Sequence, residues 1–207
     1  MDALQRFAAV LVPSLCAACE RPCAAAEIVC AACARELAAA VPLCGEPPPG
    51  IDRCWSLAPH RGVARELVVA LKFRGLRPVA ELMAARIATD APPELLEGPI
   101  VPVPPAPRRA RARGFDPADD LAAHLHLHND RTLLLCLRRR GEGRQVGRRR
   151  AERLGAPPSI EAIGPVPERI LLVDDVLTTG ATLASCAAAL RGAGASRVAA
   201  ITFARRL

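Results

Sequence analysis

Tyrosine is absent from this sequence, tryptophan occurs once, and phenylalanine occurs four times. A core of large aromatic rings is therefore excluded, and alanine, leucine and valine must fill the interior. Lysine is almost as scarce. Of 28 basic residues only Lys72 is a lysine, leaving 27 arginines, a bias that with abundant alanine and proline reads as that of a GC-rich genome. No apolar run is long enough to span a bilayer. The opening MDALQRFAAVLVPSLC carries Asp2, and its best apolar run, Phe7 to Val12, is short for a secretion signal. The expectation is a cytoplasmic protein without a membrane span, opening on a short amphipathic helix.

What is present is apolar and basic. The 207 residues are 51% hydrophobic, which excludes wholesale disorder and allows one domain plus a small module. The net charge of +7 points to anionic partners. Nine cysteines in a reducing compartment suggest metal ligands before disulfides.

Seven of those cysteines fall between Cys16 and Cys54, and GEPPPG at 45–50 cannot be helix or inner strand. Residues 1–57 are thus expected to form a Cys-rich module, and residues 58–207 an α/β domain. Helical periodicity covers 62–73 and 79–90. Asp116 followed by Pro117 starts a third helix over 116–128, and a glycine stops a fourth over 181–194. Apolar runs at 99–104, 132–137, 169–173 and 197–204 read as strands. Strands alternating with helices predict a mainly parallel sheet flanked by helices.

The stretch RILLVDDVLTTGATL, 169–183, carries the chemistry. Ligands of such sheets bind outside the carboxyl ends of the strands, where Asp174 and Asp175 fall. Behind them Thr178, Thr179, Gly180, Ala181 and Thr182 make a small-residue loop feeding a helix N-terminus, which suits a phosphate. The two carboxylates repel a phosphate, so they hold something beside it. Two vicinal hydroxyls fit, and the ligand implied is a sugar phosphate. The plain alternative is a strand–turn–helix with a solvated acid pair. A nucleotide P-loop is excluded, because its lysine is absent.

This stretch resembles the 5-phosphoribosyl-1-pyrophosphate (PRPP) signature of type I phosphoribosyltransferases. The resemblance implies Asp174 and Asp175 as catalytic residues at the ribose hydroxyls, and 178–182 around the 5-phosphate. A pyrophosphate leaving group needs cations or Mg²⁺; Lys72 and Arg74 in LKFRG, and Arg108, Arg109, Arg111 and Arg113 before GF, are candidates. The run 138–153 holds eight arginines against Glu142 and Glu152, and reads first as a surface or nucleic-acid face. The order of a cysteine module, LKFRG, VPVP…RARARGF, RQVGRRRAER and the PRPP signature resembles the ComF family, phosphoribosyltransferase-like proteins linked to DNA uptake in transformable bacteria. Asp116 stands where that family usually has Asn after R-G-F. The resemblance implies single-stranded DNA and the uptake machinery as partners.

CAAC at 16–19 and CAAC at 30–33 place Cys16, Cys19, Cys30 and Cys33 at the spacing of a structural zinc ribbon. Cys23 is spare. Val41 and Ile51 stand three before Cys44 and Cys54, where the family often has cysteine, so a second site has lost half its ligands. Cys44 and Cys54 then read as buried small hydrophobes, and Cys136 and Cys186 as core. His124, His126 and His128 end a helix, where they fan out to solvent. Two functions stay open. One is a binding protein for PRPP or a ribose 5-phosphate ligand. The other is a Mg²⁺-dependent phosphoribosyltransferase acting on a nucleobase or amine.

Overall fold

A computed structural model describes residues 14–106, 111–140 and 158–207. The expected N-terminal helix lies outside these residues. The chain opens with a two-stranded antiparallel pair, β1 (Ser14–Leu15) and β2 (Pro22–Cys23), followed by helix α1 (Ala31–Ala38). Then come β3 (Arg53–Pro59), α2 (Gly62–Arg74), α3 (Pro78–Asp90) and β4 (Ile100–Pro102). Helix α4 (Pro117–Asn129) leads to an antiparallel pair, β5 (Leu137–Arg139) and β6 (Ile160–Ala162). The chain continues with β7 (Arg169–Leu177), α5 (Ala181–Gly192) and β8 (Arg197–Arg205).

The central sheet has the order β3-β8-β7-β4, and all three pairings are parallel. A parallel sheet is covered on both faces, so its inner strands read as unbroken apolar runs. β7 shows why. Ile170 and Leu172 pack with Leu183, Cys186 and Leu190 of α5, while Leu171 and Val173 pack on the other side with α2, α3 and α4. The period of two thus feeds two separate cores from one strand.

Helices α2 to α5 start within a residue of where the sequence predicts, while α1 was not expected. Asp116 caps α4, its carboxylate accepting from Ala118 N at 2.9 Å and Asp119 N at 3.2 Å, with Pro117 behind it. α2 lacks a cap from its own chain segment. Glu36 of α1 supplies one instead, its Oε1 accepting from Val63 N at 2.9 Å. Gly62 permits this, since a side chain there would collide with that carboxylate.

Two expectations change. The run 132–137 is not a continuous buried strand. Only Leu133 bridges to Ile100, Leu135 is exposed, and the chain then turns into β5. Because β4 pairs for only three residues, it offers no longer template. The second is β3, which begins at Arg53, so the last five residues of the expected 1–57 module belong to the central sheet. Trp55 on it is 2% exposed and shares a core with Cys16, Cys33 and Leu37.

Candidate functional site

β7 runs four residues past the expected end at 173, so the acid pair lies inside the strand. On one side Asp174 stays in register with Thr202 of β8. On the other, β4 stops at Pro102 opposite Val173, and the carboxylates emerge past its end. Strand alternation sends them to opposite faces. Asp175 turns toward α2, where its Oδ2 lies 2.7 Å from Lys72 Nζ. It is 3% exposed, so this cation is the main compensation for its burial. Asp174 turns toward α5, and its Oδ1 accepts from Asp175 N at 2.8 Å. Burial, then the neighbouring Asp175 charge, push its pKa well above the usual carboxylate range; Lys72 opposes this only in part.

The loop behind the pair wraps a small cavity of about 30 Å³ lined by Asp174, Val176 and residues 177–183. Gly180 takes φ 75° there, in the left-handed region. A side chain on it would come within 2.8 Å of Pro48 Cγ. The GEPPPG segment therefore braces the loop from outside. Thr179 Oγ1 accepts from Ala181 N at 3.4 Å, and the hydroxyl-bearing Thr178 and Thr179 are exposed.

A larger cleft of about 420 Å³ joins these parts. Asp174, Asp175, Thr178 and Thr182 line it, and so do Lys72 and Arg113, two of the candidate cations. Arg74 does not. It reaches back to the cysteine module, donating to Glu20 Oε1 at 2.6 Å and to Ala17 O. Arg108 and Arg109 lie outside the described residues, as does most of the arginine run. Arg111 is exposed. Of the described end of that run, Arg138 and Arg140 both bond Glu161, while Arg139 lines the cleft.

Sequence reasoning missed two lining residues, His60 and Arg65, and placed a third, Arg139, in a run read first as surface. Arg65 was legible from α2, since it lies on the same helical stripe as Lys72. Burial, then Lys72 and Arg65, push His60 below its ordinary value and favour the neutral imidazole. Asp116 also faces the cleft, and burial raises its pKa.

The four cysteines Cys16, Cys19, Cys30 and Cys33 form a second centre. Their sulfurs all lie within 4.8 Å of one another, and Cys19 and Cys30 are 3.7 Å apart. Four thiolates about 2.3 Å from one zinc stand about 3.8 Å apart, so the set fits such an ion. Local structure builds it. Cys16 and Cys19 lie on the turn after β1, where Glu20 N bonds Cys16 O at 2.9 Å. Cys30 precedes α1 and Cys33 stands in its first turn. The Arg21 guanidinium, 3.4 Å from Cys19 Sγ, holds that thiol down at about 6. Cys23 points elsewhere, toward Ser14 O and Glu27 O. Cys54, Cys136 and Cys186 are buried as expected, but Cys44 is exposed, against the expectation of a buried small hydrophobe. Neither Cys44 and Cys54 nor the three histidines of α4 join a metal-binding group among the described residues.

Comparison with known proteins points the same way. The family model "Phosphoribosyl transferase domain" matches residues 112–207, which include the acid pair and loop. Competence protein ComFC of Streptococcus pneumoniae (strain ATCC BAA-255 / R6) is 35% identical over 101 residues. That alignment covers 48% of this chain and 44% of that protein, so it spans less than half of either.

Proposed function

We propose that this chain is a ComF-family protein and that, on its phosphoribosyltransferase-like fold, it binds PRPP or a related ribose 5-phosphate ligand in the 420 Å³ cleft. The supporting observation is the meeting in one cleft of two carboxylates, a threonine loop at a helix N-terminus, and cations. The backbone N–H groups and hydroxyls of 178–182 take the 5-phosphate. Asp174 and Asp175 accept from the two ribose hydroxyls. Lys72, Arg113 and Arg139 face the pyrophosphate end. Mg²⁺ bound with PRPP supplies further neutralisation of the pyrophosphate charge. The rest of the cleft leaves room for an acceptor, which keeps transfer to a nucleobase or amine as the second reading. The four-cysteine centre holds a structural zinc in an N-terminal ribbon, which we place ahead of β3, and the phosphoribosyltransferase-like domain takes in the central sheet from Arg53 onward rather than from 58.

The relative's name associates that protein with competence, and we extend the role to this chain as a cytoplasmic factor in DNA uptake that meets single-stranded DNA. No helix among the described residues is long and apolar enough to cross a membrane. Calorimetric titration with PRPP and with ribose 5-phosphate, both with Mg²⁺, tests the ligand. The expected result is binding by the wild type and none by the Asp174→Asn, Asp175→Asn double variant with its fold retained. Equal affinity in both proteins removes the acid pair from the site.

A further inference from the structure

One wall of the cleft is a single stripe of α2. Arg65, Val68, Val69, Lys72 and Phe73 all line it. Their spacing is i, i+3, i+4, i+7, i+8, which is one helical face. The stripe has an apolar centre, a cation that fixes Asp175, and an aromatic end. Phe73 is 72% exposed, and among the described residues it is the one aromatic left mostly open. Trp55 and Phe203 are buried, and Phe115 is half-buried. Gly75 at φ 68° ends α2 two residues later and Leu76 N bonds back to Ala70 O, so the turn carrying Phe73 is fixed. The Arg113 guanidinium stands 5.4 Å from the centre of its ring, and Arg113 lines the same cleft.

An exposed phenylalanine needs no explanation by itself. Its place does: it adjoins Lys72 and shares a cleft with the sugar-phosphate elements. Aromatic rings and guanidinium planes are the two side-chain surfaces on which nucleobases stack, and stacking tolerates any base. From this, and resting on the proposed sugar-phosphate site, we infer that Phe73, with Arg113, is the stacking platform for a planar heterocycle. The ligand class is a nucleoside 5′-phosphate: its phosphate on the 178–182 loop, its ribose at Asp174 and Asp175, and its base along the α2 stripe. For a transfer reaction the same platform selects an aromatic nitrogen heterocycle over an aliphatic amine as acceptor. Phe73 acts here by positioning and specificity, without touching the reacting bond.

The test uses the full chain and three probes with Mg²⁺: AMP, ribose 5-phosphate and an oligothymidylate. The variants are Phe73→Leu, which keeps apolar bulk, and Phe73→Trp, which keeps a π-face. Wild type is expected to bind AMP more tightly than ribose 5-phosphate. Phe73→Leu is expected to weaken AMP by about tenfold and leave ribose 5-phosphate unchanged. The unchanged ribose 5-phosphate affinity also reports an intact fold. Phe73→Trp is expected to retain AMP, with its new indole emission quenched by AMP but not by ribose 5-phosphate. If ribose 5-phosphate binds and AMP ignores Phe73→Leu, the platform is overturned while the sugar-phosphate site stands. Phe73-dependent AMP binding with no ribose 5-phosphate binding supports the platform and removes the sugar-phosphate reading. Loss of oligothymidylate binding alone assigns Phe73 to a DNA strand and overturns the inference. Binding of no probe by the wild type overturns both.

Discussion

Asp175 and Asp174 are neighbours with opposite electrostatic arrangements. Asp175 is buried and sits against the one lysine of the chain, a compact ammonium on a flexible stem. Removing one partner of such a pair leaves a buried charge uncompensated. Lys72→Met is expected to destabilise the fold by about 3 kcal/mol, read as a lower urea midpoint. The double variant Lys72→Met, Asp175→Asn should recover most of that loss, because the charge goes with its partner. Among the described residues Asp174 has no cation paired with it, and its folded pKa lies well above 3.8. A carboxyl with a raised folded pKa contributes stability below the unfolded value and loses it as pH rises through the folded one. Stability of the ligand-free protein should therefore fall as pH climbs from about 4 toward neutrality. Asp174→Asn, which mimics the protonated acid, should flatten that decline and raise Tm at pH 7 while removing ligand binding. An unchanged pH profile in urea titrations of the variant would assign the decline to other groups.

At the level of elements, legibility tracked how local the determinants are. α2, α3, α4 and α5 were readable because periodicity, Asp116 and terminal glycines act within a few residues. β7 was readable in its apolar core but not at its end, since β8 carries its pairing through Asp174 to Leu177. β3 was missed because Cys54 and Pro59 bracket a short run that reads as the tail of a cysteine module. Its strand character comes from β8, far away in the chain. The 132–137 run failed the other way, as apolar sequence whose would-be partner is only three residues long. In the site, the acids and loop were visible as a contiguous motif. The Lys72–Asp175 pair, His60 and Arg139 were not, because they meet only across elements. The cysteine cluster was legible in full, since ligand spacing is itself local. Metal analysis of the purified protein should give close to one zinc per chain. Cys16→Ser should lose it and open residues 1–57 to protease. Two equivalents would mean that Cys44 and Cys54 ligate after all.

Over the whole molecule, charge and chain order set behaviour. The excess of +7 is carried almost wholly by arginine, and the 138–153 segment alone holds eight. Weak binding of single-stranded DNA without sequence preference is expected, falling steeply with salt as counterions are released. Replacing Arg148, Arg149 and Arg150 with Ala should weaken it and flatten the salt slope in anisotropy titrations. A slope indifferent to the substitution would leave that run as plain solvated surface. The strand order has a further consequence, for how this chain leaves the ribosome. β8 is the last of the sheet's strands to be made, yet it lies between β3 and β7. Until it clears the exit tunnel, β3 has no strand partner in that sheet, and Trp55 and Phe203 cannot share their core. Synthesis at about 5–20 residues per second spends several seconds or more between β3 and β8. For that interval the apolar edge of the nascent sheet lacks its native neighbour, which is the window in which aggregation competes with folding.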